Sequence, residues 1–278
     1  MIPVIIGVSF LVFFIMDLAP GDAVDILAPE GATAEDLEAI RHDLGLDQPV
    51  IVRYVKYMGG MLHGDMGVSY VSKTDVFDTY MEKLPATIKL SFASILVSIL
   101  LSVPLGIYSA TRQGTVQDNI SMIVAMIGLS MPNFWLGLLL IIVFSLNLGW
   151  FPSGGDQTLS SIVLPAITIG TGLMATLTRT TRSSMLDVLK QEYLRTARAK
   201  GIPEKIVITS HALRNALIPI ITIIGTQLAG VLGGSVLTET VFAWPGVGRL
   251  IVDSLNMRDT PLVTGSIIMT TILLSIIL

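Results

Sequence analysis

Six long apolar runs, separated by polar segments, dominate the hydrophobic pattern of this chain of 278 residues. A bilayer core about 30 Å thick needs roughly 20 apolar residues in helical form, because every backbone polar group must be paired inside the segment. The pattern therefore predicts six membrane-spanning helices, over residues 2–18, 87–110, 120–148, 162–178, 216–237 and 261–278. We expect three prolines to mark kinks or helix starts, namely Pro104, Pro132 and Pro165.

Between the first and second runs lies a long acidic segment, residues 19–86, which we predict to be a small helical cap. Thr33 and Asp36 have the spacing of a capping box that opens an amphipathic helix, and Gly45 is well placed to end it. A second short helix is predicted over residues 49–62. The segment is therefore expected to be folded.

Composition supports a polytopic, all-α membrane protein. Hydrophobic residues make up 52% of the chain and charged residues only 14%, whereas soluble domains carry about 25% charged residues. No basic stretch precedes the first run and no small-residue cleavage site follows it, so we expect an uncleaved helix. Because the chain begins and ends inside apolar runs, we expect the complete protein to have further residues at both ends.

Basic residues are distributed unevenly among the loops, and this predicts the orientation. Arg112 follows the second run, and eight basic residues lie between the fourth run and the fifth: Arg179, Arg182, Lys190, Arg195, Arg198, Lys200, Lys205 and Arg214. The segment 149–161 has no Lys or Arg, and 238–260 has only Arg249 and Arg258. We therefore place the termini of the complete protein and the segment 182–215 in the cytoplasm, and the cap outside.

The string EYLRTARAKGIPEKIVITSHALRNALIP over residues 192–219 is the most specific motif of the chain. It resembles the cytoplasmic coupling loop of binding-protein-dependent ABC importer permeases, and most of all that of the dipeptide, oligopeptide and nickel branch. Two further strings resemble the same branch, SMPNFW at 130–135 and FAWPGVGR at 242–249, where the Pro-Gly and Gly-Arg pairs predict a compact external turn. LGLDQPV at 44–50 and GDMGVSY at 64–70 are similar to the first external loop of these permeases.

One departure concerns the Glu-Ala-Ala that the wider superfamily has six residues before the glycine. Here Arg195, Thr196 and Ala197 occupy that place, as is common in the peptide and nickel branch. A salt bridge of the superfamily glutamate cannot be transferred to Arg195.

The resemblance implies a type I ABC importer bundle of six transmembrane helices, with the cap between helices 1 and 2. It divides the chain into helix 1 (1–18), the cap loop (19–86) and a permease core (87–278) that contains the coupling loop (182–215). Coupling to an ATPase is then assigned to nine residues: Glu192, Tyr193, Arg195, Thr196, Ala197, Arg198, Ala199, Lys200 and Gly201. On charge alone, this basic loop would be no more than the topology signal.

The implied partners are a second permease, two cytoplasmic ABC ATPases, an extracytoplasmic substrate-binding protein and the lipids of a prokaryotic cytoplasmic membrane. Nucleic acid is not among them. The chain lacks a GxxxxGK[ST] phosphate loop, so ATP and Mg belong to the ATPase subunits, and no cofactor or enzymatic activity is expected on this chain. It has no cysteine, and its histidines (His42, His63 and His211) lack the spacing of a metal site.

Two further groups of residues are candidates for function. Asn133, Gly230, Gly233 and Gly234 are candidates for the translocation path, with helix packing as the alternative for the glycines. Asp36, Asp47, Asp65 and Arg249 are candidates for binding-protein docking, with a solvated loop as the alternative. Trp150 and Trp244 are typical of an interfacial aromatic belt.

The cargo is left open by the sequence. Peptide is preferred because it is the commonest cargo of the branch, and nickel or a nickel chelate is the alternative. An ion-coupled secondary transporter would need inverted repeats and a buried acidic residue near the midplane, and no clear set of these is present. An intramembrane enzyme would need a nucleophile or a metal dyad on facing helices, and the chain supplies neither.

Overall fold

The computed structural model describes residues 2–18, 23–29 and 31–277, and every regular element named in these ranges is a helix. The prediction of an all-α chain is therefore confirmed. Residues 19–22 and 30, which belong to the predicted cap, lie outside the described residues. The chain divides into two compact units: a terminal unit of Met1–Thr87 with Pro245–Leu278, and a central unit of Ile88–Trp244.

The terminal unit is built from both ends of the chain. Its α1 packs against α4 and α14, and α13 packs against α14. The helices are α1 (Ile2–Leu18), α2 (Ala23–Leu27), α3 (Ala34–Asp43), α4 (Val50–Leu62), the first part of α5 (Val76–Thr111), α13 (Val247–Asn256) and α14 (Thr260–Ile277).

Local signals in the sequence define α3 as predicted. Thr33 accepts a hydrogen bond from the backbone of Asp36, and the Asp36 carboxylate accepts one from the backbone of Thr33 at 2.9 Å. The helix ends in a Schellman turn, in which Gly45 donates to His42 and Leu46 donates to Arg41, each at 2.9 Å. The predicted second helix is confirmed as α4.

The central unit is arranged around one long helix. Its helices are the rest of α5, then α6 (Val116–Ser130), α7 (Asn133–Leu140), α8 (Val163–Leu189), α9 (Glu192–Ala199), α10 (Glu204–Ile206), α11 (Leu213–Gly234) and α12 (Val236–Val241). Helix α8 packs against α6, α7 and α11. A β-carbon at Gly106 of α5 would lie 2.6 Å from the Cβ of Thr181 in α8, so glycine permits this close approach.

Four helices are long and apolar enough to span a membrane: Val76–Thr111, Leu159–Leu189, Glu204–Gly233 and Thr260–Ile277. A fifth span is obtained if the bent pair Val116–Ser130 and Asn133–Asn147 counts as one. The apolar helix α1 is 17 residues long and falls just short of that length. The count of six spans therefore stays a prediction.

The third predicted helix, residues 120–148, is not one rod. The chain breaks at Met131, whose φ of −99° and ψ of 126° are extended, and the two halves meet at 95°. Pro132 causes the break because a proline disfavours the helical conformation of the residue before it, and it also caps α7. The role predicted for Pro132 as a helix start is confirmed. Beyond α7 the helix continues with π-helical bonding over Ile141–Asn147.

The predicted ends of the fourth and fifth helices are wrong. Helix α8 continues to Leu189 instead of 178, and the helical course towards α11 begins at Glu204 instead of 216, through a π-helical stretch at Val207–Ala212. The apolar window detects residues that avoid water, whereas backbone hydrogen bonding continues through the polar residues beyond it. Most of the predicted loop 182–215 is therefore helical.

The FAWPGVGR string forms a turn between two helices, as predicted. Helix α12 ends at Val241, Ala243 has a φ of +48°, and α13 begins at Val247. The belt interpretation of Trp244 is wrong, because this side chain is only 4% exposed and packs within the chain. Trp150, by contrast, is 63% exposed.

Candidate functional site

Helix α9 carries seven of the nine predicted coupling residues, and the other two, Lys200 and Gly201, form its C-terminal turn. The turn is a Schellman motif in which Gly201 donates to Arg198 at 2.9 Å and Ile202 donates to Ala197 at 3.3 Å. Gly201 has a φ of +78°, and no atom of the described residues lies within 4 Å of the position a β-carbon would take. Glycine is therefore needed here for its backbone conformation and not for space.

One face of α9 is buried. Leu194 is fully buried and Ala197 is 8% exposed, three residues apart and hence on the same side of the helix. Both belong to one apolar cluster, which also contains Leu177 and Met185 of α8, Ala216 and Ile220 of α11, and Val207 and Ala212 of the π-helical stretch. Burying a leucine side chain contributes about 1.5–3 kcal/mol. Helix α9 is thus joined to both long helices through a shared core.

A polar contact reinforces this junction. The Asn215 amide donates to the Tyr193 hydroxyl at 2.7 Å and to the carbonyl of His211 at 3.0 Å. The beginning of α9 and the start of α11, which are more than 20 residues apart in the string 192–219, therefore meet in the structure. The resemblance contained Asn215 in its string but gave no hint of this role.

The other face of α9 is exposed and charged. Arg195 pairs with Glu192 at 3.0 Å, and Arg198 donates two hydrogen bonds to Glu204, at 3.0 and 2.9 Å. Lys200 is exposed, as are Thr196 and Ala199. Exposed pairs of this kind contribute little to stability, so their side chains are available to rearrange against another surface.

A cavity of about 200 Å³ lies in the central unit, beside the break between α6 and α7. Two of the four predicted path residues, Asn133 and Gly230, are among its lining, which consists of Asn133, Ile169, Leu173, Gln227, Gly230, Val231, Ser235 and Thr238. A β-carbon at Gly230 would meet nothing within 4 Å, so the helix-packing alternative does not hold for this glycine among the described residues. Gly233 is exposed, and Gly234 ends α11.

Gln227 is a functional candidate that sequence reasoning missed. Its amide nitrogen donates to the Leu173 carbonyl at 3.1 Å, while its Oε1 is buried and has no hydrogen-bond partner among the described residues. A buried acceptor without a partner is rare and costs free energy, so it indicates a ligand or a water. A glutamine in an apolar run was the only signal in the sequence.

The predicted docking residues each make a local contact in the terminal unit. Asp36 caps α3, Asp47 accepts from His42 at 2.8 Å, Asp65 accepts from the backbone of Gly67 at 2.8 Å, and Arg249 pairs with Asp253 at 3.4 Å. The hydrogen bond and charge of Asp47 raise the pKa of His42 above its ordinary value. These contacts shape the surface but do not identify a partner.

Asp259 also went unnoticed as an anchor. It is buried and accepts hydrogen bonds from the Ser69 hydroxyl, from the backbone of Tyr70 at 3.2 Å and Val71 at 3.3 Å, and from Leu262 in the first turn of α14 at 3.3 Å. It thereby fastens the GDMGVSY string to the start of α14. Its position before a helix predicts a cap, but the distant partners have no signature in sequence.

The chain matches two family descriptions over almost its whole length. Residues 102–278 match the binding-protein-dependent transport system inner membrane component, and residues 1–91 match the N-terminal region of the membrane component of such systems. The oligopeptide transport system permease protein AppB of Bacillus subtilis is 43% identical over 98% of this chain and 90% of its own length. The glutathione transport system permease protein GsiC of Escherichia coli strain K12 is 41% identical over 97% of this chain and 88% of its own.

A solved structure shares the fold. The inward-facing MetNI methionine ABC transporter superposes with a TM-score of 0.60 at 18% identity, covering 72% of this chain and 91% of that chain. The family matches and the relatives show that the chain belongs to the family of inner membrane components of binding-protein-dependent transport systems, in the dipeptide and oligopeptide branch of ABC importer permeases.

Proposed function

We propose that this chain is one of two membrane subunits of an ATP-driven importer that translocates peptides delivered by an extracytoplasmic binding protein. The two relatives described above are named for oligopeptides and for glutathione, which is itself a tripeptide. This favours peptide over nickel as the cargo. The second permease and two ATPase subunits complete the proposed complex, and ATP and Mg bind to the ATPases.

The observation that carries the coupling proposal is the shared core of α9, α8 and α11. An ATPase that docks on the exposed face of α9 displaces Leu194 and Ala197 together with the cluster around them. Packed interiors transmit such a displacement because they are dense and hardly compressible. The long helices α8 and α11 then move with α9, which is the motion that alternating access requires.

The cavity beside the break in the third helix supplies a polar surface for the cargo. The Asn133 amide donates and accepts hydrogen bonds, and the Oε1 of Gln227, which has no partner among the described residues, accepts them; neither group is charged. A peptide backbone presents the same two functions at every residue, whatever its side chains. We therefore assign these residues to the path, and they suit a carrier that accepts many sequences.

Orientation follows from the same assignment. With α9 on the ATPase, the basic segment between α8 and α11 faces the cytoplasm, and α3 and α4 face the binding protein outside, with Asp36, Asp47, Asp65 and Arg249 as docking candidates. In functional terms the chain then consists of helix 1 (1–18), an external cap (19–86) and a permease core (87–278) with its coupling segment (182–215).

Replacing Gly201 with valine tests the proposal. A β-branched residue at a φ of +78° costs about 1–2 kcal/mol of strain, which the chain relieves by shifting the end of α9. In proteoliposomes with all subunits, we expect the Gly201→Val complex to hydrolyse ATP but to import less labelled peptide per ATP.

Gly64→Val is the matched control. Gly64 ends α4 in the same Schellman turn, with a φ of +86° and no atom within 4 Å of its missing β-carbon. The control should keep the wild-type ratio of peptide to ATP. An unchanged ratio of peptide to ATP in Gly201→Val contradicts the coupling assignment. Equal losses in Gly201→Val and Gly64→Val indicate general destabilisation of the complex. Import of Ni²⁺ without import of peptide contradicts the assignment of peptide as the cargo.

A further inference from the structure

A second cavity, of about 220 Å³, lies within the terminal unit. Its walls come from α1, the segment between α3 and α4, α4, the residues after α4 and the first residues of α14. The residues that matter chemically are Phe13, Gln48, Arg53, Lys56, Tyr57 and Asp65. Of these residues, the proposed transport mechanism uses Asp65 alone, as a docking candidate.

Two buried polar groups at this cavity lack partners. The Nε of Arg53 and the hydroxyl of Tyr57 are inaccessible to solvent and have no hydrogen bond within the described residues. Such groups are rare in folded proteins, since each costs the free energy of its lost hydration. Burial raises the pKa of Tyr57, so its hydroxyl keeps its proton and remains a donor.

The Arg53 side chain is fixed in place. One of its terminal nitrogens pairs with Asp17 of α1, its guanidinium carbon lies 5.9 Å from the centre of the Phe13 ring, and the side chain is 16% exposed. Because guanidinium is planar and rigid, these contacts also fix the direction of the unused Nε–H. The donor is therefore preorganised.

Tyr57 is equally constrained. A β-carbon at Gly265 of α14 would lie 3.3 Å from its hydroxyl oxygen, and one at Gly67 would lie 3.9 Å from its ring. The glycines leave the phenol room in this position but provide no hydrogen-bond partner. A ligand that satisfies the hydroxyl gains a hydrogen bond without first having to order the side chain.

Charge decides which ligand fits. Arg53, Tyr57 and Lys56 offer donors, two of them cationic, and a carboxylate is the small group that accepts several charge-assisted hydrogen bonds at once. Asp65 is the acidic residue of the lining and suits an ammonium group. We propose that the cavity binds a small zwitterion through its carboxylate, either a free α-amino acid or a short peptide of similar size. This site does not depend on the direction of transport or on the peptide cargo of the complex.

The test measures binding to the purified complex in nanodiscs, without binding protein. Radiolabelled L-alanine should bind saturably, acetate should compete weakly, and alanine amide, which lacks the carboxylate, should not compete. Dialanine distinguishes the two sources of the carboxylate, because competition as strong as that of alanine indicates the end of a peptide. Failure of dialanine to compete assigns the site to free amino acids.

Variants connect the binding to this cavity. Tyr57→Phe removes one oxygen and should weaken alanine binding about ten-fold, the worth of one hydrogen bond to a charged group. Lys56→Gln, at an exposed position that does not threaten folding, should weaken it as well. Tyr54→Phe is the matched control on the same helix, because Tyr54 bonds Ser9 at 2.9 Å and the Ile6 carbonyl at 3.3 Å instead of lining the cavity.

Three results would overturn the proposal: no saturable binding of alanine or dialanine to the wild type, competition by alanine amide as strong as by alanine, or equal affinity in Tyr57→Phe, Lys56→Gln and the wild type. If the wild-type complex binds alanine but does not transport peptides, the result counts against the proposed peptide import alone. The two proposals therefore fail separately.

Discussion

Helices α3 and α9 are both short, polar and ended by the same glycine turn, yet only α9 is part of a core. Gly45 and Gly201 have φ values of +67° and +78° in matching Schellman turns. Helix α3 has no buried residue, whereas α9 buries Leu194 and Ala197. Capping chemistry decides where a short helix begins and ends, but burial decides whether a force on it reaches the rest of the protein.

The largest expected effect comes from removing the buried contact. Leu194→Ala should cost about 2–5 kcal/mol, because it leaves a cavity in a cluster to which α5, α8, α9 and α11 all contribute. Leu37→Ala, at a half-buried position of α3, should cost less than about 1 kcal/mol. The measurement is the apparent melting temperature of the complex in detergent, and similar shifts in the two variants would abolish the distinction between the helices.

A smaller effect should follow from removing a cap. Thr33→Ala deletes the hydroxyl that accepts from Asp36, and N-cap losses cost about 1 kcal/mol. Amide hydrogen exchange should become faster along α3 and stay unchanged in α9. The N-cap of α9, Gln191, makes no side-chain capping bond among the described residues, so Gln191→Ala is the control and should leave hydrogen exchange in α9 unchanged. This account would be contradicted if Gln191→Ala accelerated exchange in α9 as much as Thr33→Ala accelerates it in α3.

The smallest effect concerns pH at the end of α3. Asp47 raises the pKa of His42, and His42 lowers the pKa of Asp47. The contribution of His42 to the stability of the folded state is fully present below the unfolded pKa of His42, about 6.5. It is lost as the pH rises through the raised pKa of the folded state. The contribution of Asp47 is present above its unfolded pKa and is lost as pH falls through the lowered one. The contact is therefore weakened on either side of this window.

Asp47→Asn should return the pKa of His42 towards its ordinary value, as measured by NMR of the imidazole carbons. An unshifted His42 in the variant would show that Asp47 does not hold the imidazole.

What the sequence predicted correctly depends on residues close together in the chain. Thr33 and Asp36 are three residues apart, Gly45 and Gly201 act within their own turns, and Pro132 acts on the residue before it. Such signals can be recognised in a single sequence because the interacting residues lie within a few positions of one another. The all-α fold follows from the same local rules together with the long apolar runs.

The contacts that the sequence did not predict join residues that lie far apart in the chain. Gln227 bonds a carbonyl 54 residues away, Asn215 bonds a hydroxyl 22 residues away, and Asp259 bonds Ser69 across 190 residues. No pattern in a single sequence marks such pairs. Likewise, the ends of α8 and α11 escaped prediction because hydropathy reports exposure to lipid and not the course of backbone hydrogen bonds.

The hydrogen bonds of Asp259 also determine when, during synthesis of the chain, this part of the fold can form. Ser69, Tyr70 and Val71 leave the ribosome 188 to 190 residues before their partner. At a synthesis rate of about 5–20 residues per second, these donors wait roughly 10–40 s for the carboxylate. The terminal unit, although it contains α1, is therefore completed only after the start of α14 has been synthesised.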